Sequence, residues 1–185
     1  MDGDGTRELL MGVAPSTETA DGPDRQMALS TRSGLGADDW AAWRAMEAIH
    51  DSGRIRMFGV SNVTLEQLQS LCDGARVRPR IVQNRCYAAL GWDRSIREFC
   101  TARGLAYQGF SLLTANREAL AHPDLIRIER HARTVRQTIF RFALDVGMVL
   151  LTGTTDAGHM RADLEVFSFR LEPDETRRIE CLIGG

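Results

Sequence analysis

Short apolar runs rich in strand-forming residues alternate along the chain with longer stretches whose apolar residues return every third or fourth position. The first helical stretch begins near Asp38 or Asp39, either able to cap it; it aligns Trp40, Trp43, Met46 and Ile49, and stops at Gly53. A strand over Ile55–Val60 and a helix over Thr64–Gly74 follow. The same alternation predicts strands over Arg80–Gln83, Leu105–Gly109 and Met148–Leu151. Helices are predicted over Asp93–Arg103, Pro123–Ala132, Val135–Val146, Ala157–Phe167 and Pro173–Leu182. Ahead of all these, Glu8–Met11 reads as the end of a short strand. The stretch Gly12–Asp39, rich in Gly, Pro, Ser, Thr and Asp, reads as a long loop.

Strand and helix in alternation imply parallel strands joined by right-handed crossovers, hence an α/β sheet or barrel. A closed barrel needs eight strands and about 250 residues. Here 185 residues supply four clear strands and one short one. The expected organisation is an irregular segment over 1–39 followed by one folded domain over 40–185.

Composition narrows the function classes. With 43% hydrophobic and 26% charged residues the chain can build one sizeable core. A net charge of -2 offers no global field for a nucleic acid or an anionic membrane. Apolar runs such as Val146–Leu151 fall far short of the roughly 20 residues that cross a bilayer. The acidic N-terminus lacks a secretory pattern, so a cytoplasmic location is expected. Cys72, Cys86, Cys100 and Cys181 form no CxxC pair and read as structural. His122, His131 and His159 have no metal-ligand spacing, so no metal site is expected. All 23 basic residues are arginine. Chemistry that needs a lysine is therefore closed to this chain, because a guanidinium stays protonated at every relevant pH.

Four stretches carry a family likeness: GRIRMFGVSN (Gly53–Asn62), RIVQNRCY (Arg80–Tyr87), GLAYQGFSLL (Gly104–Leu113) and LLTGTTDAGHMRADL (Leu150–Leu164). In this order, with the helix QTIFRFAL (Gln137–Leu144), they resemble the aldo-keto reductases over about residues 40–182. The resemblance implies the C-terminal half of a (β/α)8 TIM barrel, with parallel strands, from a family of NADP-dependent oxidoreductases that reduce carbonyls. It assigns Ser61, Asn62 and Gln83 to the nicotinamide carboxamide, whose donor and acceptor an amide can match. For Ser61 and Asn62 the alternative is helix capping. Phe110 takes the place of an aromatic stacked on the nicotinamide, with core packing as its alternative. Ser111 and Leu113 match residues along the pyrophosphate.

Around the last motif, Leu151, followed by Thr152, Gly153, Thr154 and Thr155, stands where NADP-preferring members carry a basic residue, and His159 stands at their arginine position with Arg161 nearby. NADP is the implied cofactor and NAD stays open. Backbone N–H groups at the helix start near Ala157 are a further expected aid to phosphate binding. The family's catalytic tyrosine, lysine, aspartate and histidine have no counterpart: Met11 stands at the histidine position, and Tyr87 and Tyr107 lie outside the motif. The expectation is a truncated, catalytically incomplete protein. Its alternatives are an inactive binding protein that uses the half-barrel surface and a half-enzyme completed by another chain. Open sheet edges and inward apolar residues such as Val60, Val82 and Leu151 point to self-association or a covering partner.

Overall fold

The structure is a computed structural model that describes residues 12–13, 34–128 and 134–182. The strand expected over Glu8–Met11 lies outside these. The chain forms two compact units: the residues up to Gln83 together with Phe99–Ala106, and Asn84–Glu98 together with Tyr107 onward.

In the first unit β1 (Gly12–Val13), β2 (Gly59–Ser61) and β3 (Ile81–Arg85, which continues into the second unit) are parallel. Gly12 and Val13 thus pair with Gly59 and Val60 inside a stretch expected to be loop. Helices α1 (Ala37–Asp51) and α2 (Leu65–Gly74) complete the unit. The N-cap of α1 is Gly36, whose N–H donates to Asp39 Oδ2 at 2.8 Å, so Asp39 secures the start from inside the first turn. Thr64 caps α2, accepting from Gln67 N at 3.2 Å, while Thr64 N donates to Gln67 Oε1 at 3.0 Å.

The core of this unit gathers Trp43, Met46, Phe58, Leu68, Leu71 and Cys72. Each large apolar side chain contributes about 1.5–3 kcal/mol. Val60 and Val82, expected to face solvent or a void, are buried. They pair in register, and Val60 lines an apolar pocket with Trp43, Val63 and Leu71. They therefore belong to the helix-covered face. With a side-chain period of two, the other face carries the register pair Ser61 and Gln83.

In the second unit β4 (Ala106–Phe110) pairs in parallel with β5 (Val149–Leu150) through Gln108–Val149 and Gly109–Leu150. Helix α3 (Arg94–Arg103) follows a 3₁₀ turn over Ala88–Asp93. Then come α4 (Arg117–Leu120), α5 (Pro123–Ile128), α6 (Val135–Asp145), α7 (Ala157–Leu164) with a 3₁₀ turn over Glu165–Ser168, and α8 (Pro173–Glu180). The expected extension of α5 from Ile128 to Ala132 falls outside the described residues.

The core here holds Trp92, Leu125, Ile139, Phe142, Val166 and Ile179. Trp92 lies 5.2 Å from Phe142 between ring centroids and donates Nε1 to Ile179 O at 2.9 Å. Arg97 is buried, donating to Trp92 O at 2.8 Å and pairing with Glu180. Arg141 pairs with Asp145, whose carboxylate also accepts Leu171 N at 3.1 Å. Burial alone raises the Asp145 carboxyl, but the Arg141 and Leu171 hydrogen bonds and the Arg141 and Arg170 charges hold it below the ordinary range. Cys72, Cys86 and Cys100 are buried and Cys181 is exposed. Burial raises the Cys72 thiol and pushes Cys86 up to about 12. Among the described residues no helix is long and apolar enough to cross a membrane.

Candidate functional site

Sites in parallel α/β folds form at the C-terminal ends of strands. Ser61, Asn62, Phe110, Ser111, Leu113, Thr152, Gly153 and Thr154 lie at or just past such ends, whereas Gln83, expected to end its strand, is the third of five residues of β3 and His159 lies in α7. Each unit carries its own share.

In the first unit β2 and β3 run tightly together. A Cβ on Gly59 would meet Ile81 O at 2.0 Å, so the glycine that opens GVSN permits the pairing. One residue beyond the Ser61–Gln83 pair, Asn62 takes a left-handed backbone with φ 54°. Asn62 N donates to Gln83 O at 3.0 Å. Asn tolerates this conformation better than most residues, and strained backbone of this kind concentrates at functional sites. Ser61, Asn62 and Gln83 are all half-buried. Since Thr64 is the cap of α2, neither Ser61 nor Asn62 performs the capping role that the sequence left open.

In the second unit the same device recurs after β4, where Ser111 has φ 57°. Phe110 is half-buried and its carbonyl accepts Cys86 N at 3.1 Å. Asn116, missed by the sequence reading, clamps these ends: buried, it accepts Ala88 N at 2.6 Å and donates to Cys86 O and Leu112 O, each at 2.9 Å. Leu112 is buried beneath, while Leu113 is half-buried. A second missed group joins Asp93 to Tyr107 and Asn84, which donate to its Oδ2 at 2.8 and 3.0 Å. Burial, with the Cys86 and Asp93 charges, pushes the Tyr107 phenol far above its ordinary value. A tyrosine serving as a proton donor near neutral pH needs the opposite shift.

After β5 the loop is polar. Thr152 and Gly153 are exposed and Thr154 is half-buried. Thr152 Oγ1 donates to Asp163 Oδ2 at 2.8 Å, and Asp163 is buried with its Oδ1 unpartnered. Asp156 N donates to Thr154 Oγ1 at 3.1 Å, and Asp156 Oδ1 accepts His159 N at 2.7 Å. That backbone hydrogen bond, aided by the His159 charge, lowers the Asp156 pKa. The N-terminus of α7, expected to assist a phosphate, thus already holds the carboxylate of its own N-cap. An acidic N-cap is legible in TTDAG, since Asp is among the preferred capping residues. His159 is exposed. No group of three or more His, Cys, Asp or Glu is placed to hold a metal among the described residues.

A family model described as the aldo/keto reductase family matches residues 22–122. The uncharacterized oxidoreductase YtbE of Bacillus subtilis (strain 168) is 32% identical over 142 residues, covering 76% of this chain and 50% of that protein. The crystal structure of Gox0644 in its apoform matches with a TM-score of 0.69 and 26% identity, over 77% of this chain and 52% of that one. An aldo-keto reductase crystallised with NADPH matches with a TM-score of 0.69 over 77% of this chain and 47% of that one; at 21% identity it speaks for the fold alone. The chain spans about half the length of the curated relatives it matches.

Proposed function

The chain belongs to the aldo/keto reductase family, and on that premise we propose that it furnishes the nicotinamide-dinucleotide side of a carbonyl-reductase site without completing the catalytic side by itself. The observation that carries this reading is the junction of Asn62, just past the end of β2, with Gln83 of β3, two amide residues joined by a 3.0 Å backbone hydrogen bond. Amides in this setting offer the donor and acceptor that a carboxamide needs. Ser61 extends the set, and in the second unit the family resemblance gives Phe110 the ring-stacking role and Ser111 and Leu113 the pyrophosphate-lining role. When bound, the nicotinamide supplies the hydride for carbonyl reduction; the protein's part is to bind and orient it.

The fit is good at the nicotinamide end and poor at the 2′-phosphate end. Thr152, Gly153, Thr154 and His159 bring no fixed positive charge, and the carboxylates of Asp156 and Asp163 lie within the same loop and helix. NADP is the cofactor proposed, held chiefly through its nicotinamide half, and NAD fits that half equally.

Catalytic incompleteness rests on the lysine-free sequence and on the raised Tyr107. Self-association belongs to the same reading. Met160, Leu164 and Phe167 follow one another at helical spacing and are 48%, 69% and 68% exposed, an unusual run of apolar surface. Titration of the chain with NADPH, followed by nicotinamide fluorescence, tests the central proposal: saturable enhancement is expected, and its absence rejects the cofactor role.

A further inference from the structure

We propose that the first unit carries a recognition surface for an acidic peptide segment of a partner protein, built on Arg54, Arg78 and Arg80. The segments leading into β2 and β3 share a pattern, Arg54-Ile55-Arg56 and Arg76-Val77-Arg78-Pro79-Arg80. All five arginines are exposed, whereas Ile55 and Pro79 between them are buried. The arginines thus lie on the exposed side of both segments, with Ile55, Val77 and Pro79 less exposed between them. The two segments meet at their C-terminal ends, where Arg80 N donates to Phe58 O at 2.9 Å. The second segment is clamped to α1: Val77 N donates to Glu47 Oε1 at 2.8 Å and Trp43 Nε1 donates to Val77 O at 3.2 Å.

Nearby carboxylates neutralise only the margins of this surface. Arg76 pairs with Asp51 at 2.6 Å and approaches Glu47 at 3.9 Å, and Arg103 reaches Asp73 at 3.5 Å. Asp38, Asp39 and Glu66 stand in the first turns of α1 and α2, away from the helix ends that precede these segments. Arg54 donates Nε to Ser52 Oγ at 3.0 Å, and among the described residues Arg54, Arg78 and Arg80 form no ion pair. A planar guanidinium meets a carboxylate through two parallel hydrogen bonds, and a clamped backbone reduces the ordering cost of binding.

The chemistry favours a short acidic segment over an extended polyanion. Three arginines make a small footprint, and a nucleic acid or an anionic bilayer reaching past it would meet a chain of net charge -2.

The test is fluorescence anisotropy of a labelled oligoglutamate peptide with the full chain. Saturable binding is expected, weaker at physiological than at low salt because exposed pairs are screened. The variants R54Q/R78Q/R80Q and R54E/R78E/R80E, with unchanged circular-dichroism melts, should each weaken it at least about tenfold. Three outcomes overturn the proposal: no saturable binding, equal binding by either folded variant, or tighter capture of oligothymidylate or phosphatidylserine vesicles than of the peptide.

Discussion

Asn62 and Gln83 are joined main chain to main chain at 3.0 Å, with Asn62 at a φ of 54° that a side chain with Cβ rarely adopts. Backbone conformation and amide chemistry can therefore be separated at one position. In Asn62→Gly the left-handed backbone is relieved while the amide is lost, so the melting temperature should hold or rise. NADPH affinity should fall by about 1–3 kcal/mol. In Asn62→Ala both affinity and melting temperature should fall. Unchanged NADPH affinity in both variants would remove Asn62 from the site.

Discrimination between the two dinucleotides should be weak. With no fixed cation among Thr152, Gly153, Thr154 and His159, dissociation constants for NADPH and NADH should agree within about tenfold, measured by calorimetry. A large NADPH preference would mean that basic groups elsewhere hold the 2′-phosphate.

Turnover by the chain alone should be absent. Reduction of 4-nitrobenzaldehyde followed by NADPH absorbance is expected to stay far below the ordinary enzyme range of about 1 per second and above. A normal rate would refute the proposed incompleteness.

Acid sensitivity should trace in part to Asp145, whose folded pKa lies below its unfolded value. Its stabilisation is complete above the unfolded value of about 4 and is lost as pH falls through the lowered folded value. In Asp145→Asn that part of the acid limb should flatten, and at neutral pH the buried Arg141 loses its counter-charge, which costs about 1–3 kcal/mol. Thermal melts as a function of pH measure both effects.

Association should follow the exposed apolar run. Sedimentation is expected to show concentration-dependent dimers, reduced in Leu164→Ser/Phe167→Ser; a monomer at every concentration would dismiss self-association.

Much of this architecture is legible from hydrophobic period. The α2 start at Thr64 and the α6 span follow from capping residues and apolar spacing. The strands at β2 and β5 read longer than they are, because Ile55–Phe58 alternates like a strand yet lies ahead of the paired residues, whereas β3 runs on to Arg85, past its expected end at Gln83. The wrong face was assigned to Val60 and Val82, since a period of two shows that faces alternate but not which one meets the helices. Helix α4 has four residues, too few for any period. Left-handed Trp92 and Asp93, beside Gly91, arise from long-range bonds to Ile179, Asn84 and Tyr107, which no local pattern encodes. Most motif residues were legible as strand-end positions, Gln83 and His159 excepted; the Asn116 clamp and the Asp163–Thr152 pair were not, because each joins segments distant in sequence.

The burial of Cys72, Cys86 and Cys100 makes the chain selective toward thiol reagents. With its thiol pushed up to about 12 by burial, Cys86 stays in the unreactive thiol form at neutral pH. Cys181, exposed at the C-cap of α8, is the accessible thiol among the described residues. A maleimide dye or spin label should therefore attach with a stoichiometry near one, giving the unaltered sequence a built-in spectroscopic reporter at the end of α8.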